Sequence, residues 1–130
     1  MVAEQRKAAM NAKILIVEDE SIVALHISNQ MRQQGYDVIG TVTSGEAALR
    51  QCAFIRPDLV LMDIRLQGEM NGLQAGQEIQ KQFAIPVLYL TAYAEQLTMV
   101  QAHEHVESAY LAKPFKESDL YEIVESLLHH

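Results

Sequence analysis

The 130-residue chain carries a single cysteine, Cys52. No internal disulfide can form, which excludes disulfide-stapled secreted folds and makes a reducing cytosol the expected compartment. Cys52 itself reads as a small apolar packing residue rather than a nucleophile. No apolar run approaches the roughly 20 residues of a membrane-spanning helix, and Met1 to Asn11 lack the apolar core of a signal peptide. Positive charge is also short: 10 Lys and Arg stand against 17 Asp and Glu, a net charge of −7. That balance argues against direct nucleic-acid or membrane binding and for cations or other proteins as partners. Internal repeats and low-complexity linkers are missing too. With 49% hydrophobic and 21% charged residues, the composition is that of one ordinary globular domain. It is expected over residues 13–130, behind a polar tail at residues 1–12.

The most telling stretch is Pro57-Asp58-Leu59-Val60-Leu61-Met62-Asp63, an apolar run that stops at a carboxylate. The run suits a strand covered on both faces. Asp63 falls where that strand leaves the sheet. A carboxylate is costly to bury alone, so it needs cations or donors around it. Other short apolar runs are Lys13 to Val17, Tyr36 to Val42 (more polar, an edge strand), Val87 to Leu90 after Pro86, and Ser108 to Ala112. Between them lie helical patterns. Val23, Ile27 and Met31 form one stripe before a stop at Gly35; Ser44 caps a helix through Ala47, Ala48, Leu49 and Cys52; Asn71 caps another with Leu73, Ile79 and Phe83. A weaker helix is predicted over Glu95 to His103, and Leu120, Ile123, Val124 and Leu127 mark a last one. Five strands alternating with five helices predict an α/β fold, a parallel sheet with helices on both faces.

In such a sheet every strand's carboxyl end lies at one edge, where ligands bind. That edge gathers Glu18 and Asp19 after the first strand, Asp63 after the third, Thr91 after the fourth and Lys113 after the fifth. Three carboxylates together call for a hard cation, and Mg²⁺ fits, since it accepts a few carboxylates while keeping waters and a phosphate oxygen. With neither Cys nor His at this edge, zinc and softer metals do not fit. A phosphoryl group on Asp63 would share its oxygens among Mg²⁺, Lys113 and Thr91, and charge neutralisation with positioning is most of what phosphoryl transfer requires.

The segments Glu18-Asp19, Leu61-Met62-Asp63, Leu90-Thr91-Ala92 and Lys113-Pro114-Phe115 together resemble the receiver domain of two-component response regulators. The resemblance spans about Lys13 to Leu128; each motif alone is weak, and all four in order at strand ends are specific. It implies the flavodoxin-like sheet order 2-1-3-4-5. It implies that Asp63 accepts phosphate from a sensor histidine kinase or a histidine phosphotransfer protein. Glu18, Asp19, Asp63 and the backbone carbonyl of Arg65 would hold Mg²⁺, and Thr91 and Lys113 would contact the phosphoryl group. Tyr110 stands at the family's switch aromatic, with Thr91 as its partner, and the Lys113-Pro114 bond is expected to be cis. The face of the fourth helix, fifth strand and fifth helix would be read by a downstream protein or a second copy. Such a domain is not an enzyme in the usual sense; it catalyses only its own phosphorylation and dephosphorylation. Two departures stand out. The loop Arg65 to Gly72 is one residue longer than the common form and lacks its proline, and the segment His103 to Ser108 lacks the usual glycine.

Plainer readings stand beside these. Asp63 could be a solvated strand-end cap. Glu18 and Asp19 could be first-turn helix acids, which is how Glu20 reads. Thr91 could be a helix cap, and Lys113 a surface lysine. Tyr110 is either a packed core-edge ring or a mobile switch. His26 reads as a surface or packing residue, while His103 and His105, two apart, do not share a helix face. Other functions are a small Mg²⁺-dependent phosphatase passing through an aspartyl phosphate, a flavin carrier, or a non-phosphorylatable binding module. The phosphatase resembling haloacid dehalogenases needs Asp-x-Asp after its first strand; here the carboxylate follows the third, and position 65 is Arg65.

Overall fold

A computed structural model describes residues 11–66, 68–92 and 108–129. The strands are β1 (Lys13–Val17), β2 (Asp37–Val42), β3 (Leu59–Asp63), β4 (Val87–Thr91) and β5 (Ser108–Ala112). The helices among the described residues are α1 (Ser21–Gln33), α2 (Gly45–Phe54), α3 (Gly72–Phe83) and α4 (Glu117–Leu128). The helix expected over Glu95 to His103 lies outside the described residues. The sheet order is β2-β1-β3-β4-β5, and each neighbouring pair is parallel. This is the expected doubly wound order.

The strand period of two builds two cores, one on each face. Ile14 and Ile16 of β1, Leu59 and Leu61 of β3, and Leu88 and Leu90 of β4 pack with Ile27 and Met31 of α1 and Leu120, Val124 and Leu127 of α4. The alternate residues Leu15, Val17, Val60, Met62, Val87 and Tyr89 pack with Ala48 and Cys52 of α2 and Ala75 and Ile79 of α3. The central strands β3 and β4 are therefore buried along their whole length. β2 and β5, at the edges, are only half-buried. Cys52 is a buried free thiol in the second core, as a packing residue should be.

Side-chain caps hold the helices on the sheet. Ser44 accepts a hydrogen bond from the Ala47 amide at the start of α2. Asn71 and Gln74 form a reciprocal capping box on α3, at 2.8 and 2.9 Å. α3 begins directly after this cap with Gly72, whose amide donates to the Ile64 carbonyl at 2.9 Å. A Cβ at Gly72 would stand 1.9 Å from the Asp63 carbonyl oxygen and 2.7 Å from the Ile64 Cα. Only glycine lets α3 sit this close to the end of β3. The tighter the approach, the more firmly the backbone after Asp63 is fixed.

Gly72→Ala is accordingly expected to lower the unfolding free energy by about 2–4 kcal/mol. A urea titration checks this; an unchanged midpoint would mean that the α3 start yields without strain.

Candidate functional site

The carboxyl ends of β1, β3, β4 and β5 meet at one edge, and the chain reverses its winding between β1 and β3. Asp63, the last residue of β3, is 5% exposed, and Glu18, just past β1, is 2% exposed. Two carboxylates thus leave water within the same crevice. Lys113, just past β5, lies between them, with Nζ 3.0 Å from Glu18 Oε1 and 3.8 Å from Asp63 Oδ1. The Lys113-Pro114 bond is cis, as the family resemblance implied. The Lys113 amide donates to the Thr91 carbonyl at 2.7 Å, which ties the lysine to the end of β4. Thr91 itself is fully buried and paired in register with Ala112.

The turn after Asp63 folds back on its carboxylate, with the Arg65 amide donating to Asp63 Oδ1 at 3.1 Å. Burial pushes the Asp63 carboxyl up, to about 7. Lys113 opposes that rise, the Glu18 carboxyl adds to it, and the Arg65 amide opposes it again. Lys113 and the Arg65 amide together do not offset the desolvation of Asp63.

Glu18, Asp19 and Glu20 each bring a carboxylate oxygen within 4.8 Å of the others. Glu20 is not the first-turn helix acid expected from sequence. It is the N-cap of α1, with extended backbone, and the first turn holds no acid. Glu18 Oε2 accepts the Glu20 amide at 3.1 Å, so the chain turns before the helix starts and keeps all three acids at the mouth. Glu18 and Asp19 likewise precede the helix rather than lying in it. An all-oxygen donor set around an uncompensated buried carboxylate fits a hard divalent cation.

Of the other singled-out residues, Tyr110 lies within β5, opposite Tyr89 of β4, and the two rings stack at 6.2 Å between centroids and 17° between planes. Tyr89, Glu20 and Gly72 were missed as contributors. The strand register could have found Tyr89, since it puts the two rings side by side. His26 is exposed on α1, in keeping with a surface residue. His103 and His105 lie outside the described residues.

The response regulator receiver domain family model matches residues 14–125, and the chain belongs to that family of phosphoryl-accepting signalling domains. It is 32% identical over 118 residues to the transcriptional regulatory protein PdtaR of Mycobacterium tuberculosis, covering 91% of this chain and 57% of that one. It is 35% identical to the phyllosphere-induced regulator PhyR of Methylorubrum extorquens, covering 93% of this chain and 45% of PhyR. The chain thus spans about half the length of these curated relatives. Among solved structures it is similar to the PhyR receiver domain of Erythrobacter litoralis, with TM-score 0.81 and 31% identity over 92% of this chain and 91% of that one. It is also similar to the receiver domain of a modulated diguanylate cyclase from Desulfovibrio desulfuricans, with TM-score 0.82 and 30% identity over 92% and 94% of the two chains. Among the described residues no helix is long and apolar enough to cross a membrane.

Because Asp63 holds its proton more tightly folded than unfolded, its contribution makes the metal-free protein less stable as pH rises from 3.8 through about 7. Asp63→Asn is expected to remove that slope and to stabilise the protein at about pH 8, by on the order of 1–2 kcal/mol. Urea midpoints in EDTA at about pH 5 and about pH 8 decide it. An asparagine variant with the same slope as the parent would contradict this account of the site.

Proposed function

We propose that Asp63 is the phosphoryl acceptor of a signalling switch, charged by a sensor histidine kinase or a histidine phosphotransfer protein. The observation that carries this reading is the buried Asp63 carboxylate at the end of β3, 3.8 Å from the Lys113 ammonium and beside Glu18. In this reading an Asp63 oxygen attacks the phosphorus of a phosphohistidine. The new O–P bond forms as the N–P bond breaks, and the electron pair stays on the leaving imidazole nitrogen, which takes a proton from water. Lys113 balances charge on the phosphoryl oxygens, and the Thr91 hydroxyl donates to one of them. Glu18, Asp19, Asp63 and the Arg65 backbone carbonyl would hold Mg²⁺, whose chemistry here is to neutralise the carboxylates and orient the phosphoryl group.

The output follows from the same atoms. A phosphoryl group that engages the Thr91 hydroxyl biases β4 toward one of two arrangements, and Tyr110 of β5 shifts with it. The surface built from β5, α4 and the helix expected over Glu95 to His103 then changes, and a downstream protein or a second copy reads it. The haloacid-dehalogenase-like reading gains nothing from the site, because Arg65 stands where the second aspartate of Asp-x-Asp would be.

Incubation with acetyl phosphate and Mg²⁺ should add one phosphoryl group to the intact mass. The adduct should be lost on omitting Mg²⁺ and in Asp63→Ala. An adduct of equal yield in Asp63→Ala would place the acceptor elsewhere and end this assignment.

A further inference from the structure

Tyr89 is the largest of the fully buried side chains, at 1% exposure in the middle of β4. Its hydroxyl is buried with no hydrogen-bond partner among the described residues. Burying a hydroxyl without a partner costs free energy. The side chain is therefore held there by shape, and the shape that receives it is on α3. A Cβ at Gly76 would stand 2.3 Å from the Tyr89 hydroxyl oxygen and 2.6 Å from the nearest ring carbon. One helical turn earlier is Gly72, where a Cβ would stand 1.9 Å from the Asp63 carbonyl oxygen. Between the two glycines Ala75 abuts α2, since a Cβ at Gly45 would stand 2.9 Å from the Ala75 Cβ. The first two turns of α3 are thus confined by the end of β3, by Tyr89 and by α2. The parallel register sets Tyr89 beside Met62, the residue before Asp63. The notch at Gly76 and the close approach at Gly72 are therefore two contacts of one helix with two neighbouring strands.

We propose that Tyr89 is a positioning residue for the site: by filling the notch at Gly76 it sets how α3 lies on the sheet, and α3 in turn sets the turn from Asp63 to Arg65. This rests on the reading that Asp63 and the Arg65 carbonyl hold Mg²⁺. The Gly72 amide links α3 to that turn by donating to the Ile64 carbonyl at 2.9 Å. The Arg65 amide then closes the turn on Asp63 Oδ1 at 3.1 Å. A close-packed interior is hard to compress and transmits strain, so a displacement at Gly76 reaches Gly72 one turn away. Mg²⁺ demands near-ideal octahedral geometry, so its affinity registers a small shift of the carboxylate or the carbonyl. In this arrangement the tyrosine acts by its bulk and Gly76 by its lack of a side chain, and each is needed only because of the other.

The ¹⁵N-labelled full chain tests this by NMR, first in EDTA and then titrated with Mg²⁺. The Arg65 amide signal reports the turn without metal, and the titration gives the affinity. Alanine is the better helix former, so any harm from Gly76→Ala comes from its contact with Tyr89. Gly76→Ala should move the Arg65 amide signal and weaken Mg²⁺ binding severalfold. Tyr89→Leu empties the notch without a clash and should also move the signal, which keeps the test decisive if Gly76→Ala does not fold. The double variant Gly76→Ala/Tyr89→Leu trades volume across the contact and should bring both readouts back toward the parent, with the affinity within about twofold. Ile79→Val, in the same core one turn further along α3, should lower the urea midpoint and leave both readouts as in the parent. Single variants with the parent's Arg65 signal and Mg²⁺ affinity would overturn the proposal, as would a double variant no nearer to the parent than either single one. A parent that does not bind Mg²⁺ would overturn the metal reading, and the Arg65 signal in EDTA would still decide whether Tyr89 positions the turn.

Discussion

Asp63 ends a strand with no exposed residue, so its carboxylate leaves water together with the strand. Glu18 is carried into the same crevice by β1. A lone buried carboxylate is costly, and two that share one lysine remain costly. Each neighbouring feature answers part of that cost. Lys113 supplies a positive charge from the far side, and the Arg65 amide supplies a donor from the chain's own turn. The residual imbalance shows in the raised Asp63 carboxyl. Structural ion pairs tend to be arranged to hold a carboxylate in its charged form. Here that is left incomplete, which is how a site that receives a cation and a phosphoryl group would be built.

The placement of the crevice is a matter of strand order and length. β1 and β3 are central neighbours, and the chain winds outward from them in opposite directions. Their carboxyl ends are thus uncovered by any crossover. Gly72 then brings α3 against the end of β3 and fixes the backbone that follows Asp63. The capping box of Asn71 and Gln74 makes that start definite. Between β3 and α3, Leu66 and Met70 pack into the core that α2 and α3 share.

Most of this was legible in the sequence because strands buried on both faces leave an unmistakable pattern. Leu59 to Met62 and Val87 to Leu90 are apolar without alternation, and the polar residue ending each run marks the sheet edge. Glu18, Asp63 and Lys113 could be grouped from that alone, without any pairing being known. The same logic has no access to contacts made across the edge. Glu20 looks like any first-turn acid in sequence, and only the Glu18 carboxylate bonding its amide makes it an N-cap. Gly72 reads in sequence only as the last residue of a loop, and its role shows once α3 is seen to start against the Asp63 carbonyl. Tyr89 sits in an apolar run, where one more aromatic carries no signal. What singles it out is the register of β4 with β5, and register between parallel strands is set by packing of the intervening chain rather than by a local turn.

That last ladder joins the charge at the edge to the packing beneath it. β4 ends in Thr91, whose carbonyl accepts the Lys113 amide, and two residues back it carries Tyr89 under Tyr110. The cation that faces Asp63 and the ring proposed to move are thus three residues apart, the ring on β5 and the lysine just past its end. β5 is held on one side only, by β4, and its middle is half-buried rather than sealed. A central strand could not change its neighbours without breaking two ladders at once. An edge strand needs to adjust only one. One of the two edge strands of the sheet is in this way tied to both the charged crevice and the aromatic pair, so the charge at Asp63 and the packing of Tyr110 meet on a strand held by a single ladder.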